Sequence, residues 1–259
     1  MKDINYESHH DKTTDLVLLL SNSNNVKSHF HRSFEILYII DGSLEATIGN
    51  KTFIANKDDI VFVNKYYIHS YKVIGSYKKY VLIIPPFLCD DFDDIFKSKT
   101  LPPHLKNKSF NKKLLPILTN LYDNHNTASS LVKKGYINVI IGELIEQYKL
   151  VSINKNNNIE IIVKILNYID QNYSKDLTLE NMANEFGYSK YYFSKLFNTY
   201  IKENLNNYIN MVRVRNVNNK LKENNSSNIA TIAYECGFNS LPTFYRAYNK
   251  IYNSSPLHK

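Results

Sequence analysis

The chain has 259 residues, 43% apolar and 22% charged, a balance that excludes intrinsic disorder and suits one large domain or two modest ones. No apolar run approaches the ~20 residues of a membrane-spanning helix; residues 16–20 are among the longest. The net charge of +8 suits a polyanionic partner, but residues 159–259 hold 12 basic and 8 acidic side chains, half of the excess, so charge alone does not locate a nucleic-acid site.

The first twenty residues carry Asp3, Glu7, Asp11 and Asp15 and lack the basic-then-apolar pattern of a signal peptide, so a cytoplasmic location with no membrane partner is expected. Residues 34–40, 44–48, 60–63 and 80–84 are rich in β-branched and aromatic side chains and predict short strands. Asp41-Gly42 and Gly49-Asn50 are turn dipeptides, the second spaced as a two-residue hairpin. Several short strands at this spacing predict a sandwich or small barrel, ended by Pro85-Pro86, neither of which can donate to a ladder. Cys89 and Cys236 have no ligand or redox partner nearby in sequence and read as small buried hydrophobes.

From Leu114 the period changes to that of a helix. Leu114, Ile117, Leu118 and Leu121 make one stripe, and Ile137, Ile140, Ile141, Leu144, Ile145 and Tyr148 another. These helices either pack onto the strands or form a homodimer surface. Residues 152–158 offer almost nothing to bury and read as a linker. The expected division is 1–110 for the strand-rich domain, 111–151 for the helices, 152–158 for the linker and 159–259 for an all-helical domain.

The last hundred residues contain a repeat. Ala183 and Gly187, four apart, are matched by Ala233 and Gly237; Phe193 and Phe197 by Phe244 and Tyr248; Ser189 and Ser240 sit at the two helix starts. A small residue at a helix crossing, a glycine at the bend and two rings filling the angle make a compact helix-turn-helix. Thr178 is positioned to cap the helix before Gly187. Between the two copies, Leu205, Tyr208, Ile209, Val212, Val217 and Leu221 predict a long connecting helix. Arg213 on it is expected to be buried against a carboxylate; the role of Arg215 stays open.

With Tyr192, Tyr208, Ile209, Arg213, Ile229, Ile232, Phe238, Arg246 and Pro256 in their places, residues 177–256 resemble the DNA-binding domain of the AraC/XylS family of transcription regulators. Lys202 and Asn253 depart from that pattern by standing where it has glycine after each recognition helix, and Val217 replaces an alanine. The resemblance implies base contacts from Tyr191, Ser194, Lys195, Leu241, Pro242, Tyr245 and Arg246. Lys195 and Arg246 suit guanine acceptors, and Tyr191, Tyr245 and Leu241 suit thymine methyls. Lys190 and Asn198, at the helix margin, suit phosphates.

In the strand-rich half, His29, His31, Glu35 and Gly42, with His69 some forty residues on, resemble the first cupin motif and the histidine of the second. Asp58, Asn64, Tyr66 and Val73 replace the other residues of the second motif. We read His29, His31, Glu35 and His69 as an effector pocket, with no metal, no cofactor and no catalytic residue expected. The fold class expected is α+β: a cupin-like β-barrel with helices, then two helix-turn-helix units. The function expected is that of an effector-responsive DNA-binding regulator that activates transcription and contacts RNA polymerase. The alternatives are a cupin-type metalloenzyme with an appended helical domain and an effector-independent DNA-binding regulator.

Overall fold

The computed structural model describes residues 4–12, 15–153, 159–223 and 228–256. The chain forms two compact units, one chiefly of Asp15–Asn156 and one of Asn5–Thr14 with Asn157–Lys259. A two-residue strand β1 (Asn5–Tyr6) and a single helical turn α1 (His9–Lys12) therefore belong with the C-terminal helices.

In the first unit, alternation of side chains builds β2 (Val17–Asn22), β3 (Val26–Phe30), β4 (Phe34–Ile48), β5 (Lys51–Asn56), β6 (Ile60–Val63) and β7 (His69–Ile84). The pairing order is β3-β7-β4-β6, with β2 also on β7 and β5 also on β4. Two short strands follow, β8 (Lys99–Thr100) and β9 (His104–Leu105), and β9 extends the β6 edge. Among the described residues no ladder joins β9 back to β3, so the expected barrel is corrected to an open sheet. The reason lies in β4 and β7, whose 15 and 16 residues each serve different partners along their two halves. β7 takes β2 over Lys78–Ile83 and β3 only near His69 and Tyr71.

The Asp41-Gly42 turn is likewise corrected. Residues 34–48 form one strand, and the pairing with β7 slips on both sides of Asp41-Gly42, which is a bulge. Gly42 has φ +70, and a Cβ there would lie 2.0 Å from Ser76 O, so only glycine permits the strands this close. Gly49-Asn50 is the two-residue hairpin expected, with Ile48 opposite Lys51.

Helices α2 (Lys108–Asn124) and α3 (Ser130–Gln147) bury their stripes on the sheet. Leu114, Leu118 and Leu121 join Ile137, Ile140, Ile141 and Leu144 in one core with Phe34, Ile36 and Tyr38 of β4. The other side of β4 sends Leu37 and Ile39 into a second core with Val61, Val63 and Tyr71. Glu35 shares that inward side. Val151–Ser152 form strand β10 against β8, so Ser152 is not linker; residues 154–158 of the expected linker lie outside the described residues.

The second unit holds α4 (Glu160–Asn172), α5 (Leu179–Glu185), α6 (Lys190–Ile201), α7 (Leu205–Glu223), α8 (Ile229–Glu235) and α9 (Leu241–Tyr252). The caps read from sequence are in place: Thr178, Ser189 and Ser240 accept from the backbone N–H of Asn181, Tyr192 and Thr243. Tyr208 on α7 donates to Asp11 at 3.1 Å, and Tyr6 also bonds that buried carboxylate, which fastens the N-terminal segment to this unit. No helix among the described residues is long and apolar enough to cross a membrane.

Lys202 and Asn253 end α6 and α9 in the left-handed region, at φ 56 and 50, and donate to Asn198 O and Asn249 O. They do glycine's work without being glycine, and an ordinary side chain held there costs about 1–2 kcal/mol. Lys202→Gly is therefore expected to stabilise the chain by about 0.5–1 kcal/mol after the entropy gained by the unfolded state, and Asn253→Gly by less. Denaturation midpoints check this; a Lys202→Gly loss as large as the expected gain would refute the strain argument.

Candidate nucleic-acid interface and buried histidine cluster

Each helix-turn-helix is set by its glycine. Gly187 between α5 and α6 has φ +71, and Gly237 between α8 and α9 has φ +91. Phe193 and Phe197 on α6 are buried, as are Phe244 and Tyr248 on α9, so each helix turns its opposite face outward. On α6, Lys190, Tyr191, Lys195 and Asn198 are exposed and Ser194 is half-buried. Tyr191 is 79% exposed, unusual for so large a ring. On α9, Pro242 and Arg246 are exposed, whereas Leu241 and Tyr245 are half-buried and pack against the core of their own unit. Lys190 pairs with Glu180 of α5 at 2.9 Å, both exposed. The Arg246 guanidinium donates to Thr243 Oγ1 at 3.4 Å.

The connecting helix α7 corrects the expectation for its arginines. Arg213 gives its Nε and Nη2 to the carbonyls of Tyr173 and Lys175, each at 2.8 Å, where α4 ends. The carboxylate partner belongs to Arg215, whose Nη2 lies 3.1 Å from Asp170 Oδ1. Both cysteines are buried as expected, and burial pushes the Cys89 thiol up to about 12 and Cys236 to about 11, which leaves neither as a ready nucleophile.

In the first unit the structure brings His29, His31, Glu35 and His69 together, one ligand atom from each within 4.8 Å of the others and all four side chains buried. His29 stands opposite His69 across the β3–β7 ladder, and Glu35 follows at the start of β4. The cluster is a packed polar knot. His29 Nδ1 lies 2.8 Å from Lys27 O, His31 Nδ1 3.0 Å from Ser33 O, and His69 Nδ1 2.8 Å from Tyr67 O. A carbonyl only accepts, so each Nδ1 carries the proton and each Nε2 is left to face the cluster.

Glu35 Oε2 lies 3.2 Å from His31 Nε2 and 3.6 Å from His69 Nε2, and Glu35 Oε1 accepts from Tyr71 Oη–H at 2.6 Å. Burial works against ionising Glu35, yet the imidazoles of His31 and His69 hold its carboxyl well below the usual carboxylate range. Tyr71 was not singled out from the sequence, nor was Lys79, a buried ammonium set over the Tyr71 and Tyr77 rings. Asp58 and Tyr66 stand where the resembled second motif has glycine. Both adopt positive φ, 67 and 62, and Tyr66 N donates to His31 O at 2.7 Å. At these two positions the chain keeps a backbone that favours glycine, although neither residue is glycine.

The comparisons with known proteins agree with both halves. The AraC-like ligand binding domain family matches residues 21–137, and a helix-turn-helix domain family matches residues 182–258. The multiple antibiotic resistance protein MarA of Escherichia coli is 32% identical over 105 residues, 40% of this chain and 81% of MarA. The regulatory protein PocR of Salmonella typhimurium is 37% identical over 93 residues, 36% of this chain but only 30% of PocR, so the chain spans under a third of that relative's length. The crystal structure of ToxT from Vibrio cholerae with an unsaturated fatty acid bound is similar over 94% of each chain, at 15% identity and a TM-score of 0.44. On the matches to both domains and to MarA, the chain belongs to the AraC family of transcription regulators, with an N-terminal ligand-binding domain and a C-terminal helix-turn-helix DNA-binding domain.

Proposed function

We propose that the chain is a cytoplasmic regulator, not an enzyme, that reads DNA with the outward faces of α6 and α9. The observation that carries this reading is the pair of helices whose inner rings are buried while Lys195 and Arg246 stand exposed on the opposite sides. Lys195 and Arg246 contact guanine acceptors, the arginine bidentately, and Ser194 serves either base of a pair. Tyr191, Leu241, Pro242 and Tyr245 make apolar contacts to thymine methyls, and Lys190 and Asn198 meet phosphates. The N-terminal unit takes an effector at or beside His29, His31, Glu35 and His69, and that occupancy raises transcription through RNA polymerase. The outer side of α3, where Leu131 and Val139 are exposed, is the surface favoured for a homodimer.

The full chain, given a site selected from random duplexes, tests the DNA reading. Lys195→Ala or Arg246→Ala is expected to weaken that site by about 1–3 kcal/mol and to relax base preference locally. Lys190→Ala is expected to weaken all sequences alike and to flatten the salt slope by about one unit. Equal losses on selected and random DNA for both classes of variant would show that the faces are wrongly assigned.

A further inference from the structure

We infer that the effector of the first unit is a small organic monocarboxylate, and that its carboxylate pairs with the buried ammonium of Lys79 beside the rings of Tyr71 and Tyr77. This rests on the reading of that unit as the effector-binding part and names the chemistry of its ligand.

Lys79 stands in mid-sheet, opposite Ile39 of β4 on one side of β7 and Ser21 of β2 on the other. Tyr80, Leu82 and Ile84 face the helices, so alternation sends Lys79 and Val81 to the opposite side, into the core of Leu37, Ile39, Tyr71 and Tyr77. Lys79 is 2% exposed, and its Nζ lies 4.8 and 5.0 Å from the centroids of the Tyr71 and Tyr77 rings. Among the described residues it makes no hydrogen bond and no ion pair. The two nearby hydroxyls are spent elsewhere: Tyr71 gives its proton to Glu35 Oε1 at 2.6 Å and Tyr77 to Asn24 O at 2.7 Å. Ring faces attract the charge of an ammonium, but they do not accept its three N–H donors as an oxygen would. Burial pushes the Lys79 ammonium below the usual lysine range, and the charge of Glu35 works against that. A buried cation left without an oxygen partner is a costly arrangement that an anionic ligand completes.

The surroundings select the anion. Lys79 supplies one positive charge, and the carboxylate of Glu35 lies near enough for its own charge to act there. A second negative charge on the ligand would go unmatched, which favours a monoanion over a phosphate ester. Leu37, Ile39 and Val81 on the same side are apolar. An inorganic ion would lose its hydration among them for one donor, whereas an organic acid also buries its body. The way in lies along β2. Register sets Leu19 opposite Val81 and Ser21 opposite Lys79, while Leu18 is buried in the helix-side core, so Leu19 and Ser21 belong to the side of Lys79. Leu19 is 52% exposed and Ser21 half-buried, so this side of the sheet is open there. An apolar strip thus runs from the surface at Leu19 and Val81 to the ammonium.

Thermal unfolding of the first unit within the full chain, without DNA, tests the inference. The probes are acetate, hexanoate, benzoate and phenylacetate, each compared with the primary amide of the same acid. At least one acid at about 10 mM should raise Tm by about 2 °C or more, and its uncharged amide by much less. Lys79→Met then separates ligand binding from a structural role, since it keeps the length of the side chain and removes the buried charge. The ligand-free variant should melt about 2–4 °C higher than wild type and lose its response to the acid. A lysine held for structure would make the variant melt lower. The inference is overturned if all four acids are silent on the wild type, if the amides match the acids, or if Lys79→Met keeps the response or melts lower. Amides that match the acids would still leave an effector-binding unit, with a neutral ligand. Conversely, an acid that binds through Lys79 but leaves affinity for the selected DNA site and transcription unchanged supports the pairing and removes the regulatory reading.

Discussion

Gly237→Ala will destabilise the second unit by about 2–6 kcal/mol, the largest single-residue effect we expect outside the cores. Two costs add. At φ +91 an alanine sits in backbone space that side chains rarely occupy, a strain of about 1–3 kcal/mol. Its Cβ would also stand 2.8 Å from Ser174 Cα, Ser174 O and Tyr173 O, and overpacking of this kind costs about 1–3 kcal/mol. The neighbours cannot retreat, because Arg213 clamps the same turn through the carbonyls of Tyr173 and Lys175. Gly187→Ala is the control. That glycine has a similar left-handed φ but nothing within 4 Å of the added carbon, so it should cost only about 1–2 kcal/mol. Thermal or urea unfolding of the full chain, followed by a probe in the second unit, compares the two. Equal destabilisation would mean that the backbone at Ser174 yields, and that the α8–α9 turn is not held by its packing on the end of α4.

The contrast between the glycines also shows what a sequence can and cannot disclose. The repeat was legible because its signals are local: serine caps, a glycine at each bend, rings four apart. Both glycines read alike, and only the fold separates one that needs a positive φ from one that also needs an absent Cβ. The same limit explains the arginines. A carboxylate can be sought in a sequence, but the carbonyls that hold Arg213 belong to no residue type. In the first unit, Asp41-Gly42 carries the chemistry of a turn, yet the long ladder with β7 keeps the strand running and converts it to a bulge. Asp58 and Tyr66 hid the second cupin-like motif because they take glycine's conformation without glycine's identity. The histidine cluster was legible as a set because its spacing resembles the cupin motifs, although His31 lies just past the end of β3. Its second layer was not: Tyr71 reaches Glu35 from 36 residues along the chain, and the three carbonyls, each two residues from its histidine, belong to no residue type.

Inserting 5 base pairs between the two contact regions of a selected site will reduce affinity by roughly 30-fold or more, the loss of one helix's base contacts at about 1–3 kcal/mol each. Both recognition helices belong to one unit and share α7, whose 19 residues span about 28 Å, close to one turn of DNA. They are therefore expected to enter successive major grooves about 10 base pairs apart on one face of the duplex. Ten inserted base pairs restore the face but should fail equally, because the reach is then a full turn too long. Asn216, Asn218 and Asn219 are weak helix formers within α7, the stretch where such a helix would first yield. The structure braces that stretch. Tyr208 packs its ring 5.7 Å from Phe197 on one side, while Val214 and Val217 are buried with Phe244 and Tyr248 on the other. The Asn216 amide donates to Val212 O at 2.8 Å, Asn218 reaches Tyr252 Oη at 3.4 Å, and Lys220 pairs with Glu235 at 2.8 Å. A helix shared by both cores cannot lengthen or swivel without opening one of them. Recovery of affinity at 10 but not 5 inserted base pairs would show that it does, and that the two helix-turn-helix units act as beads on a flexible tether.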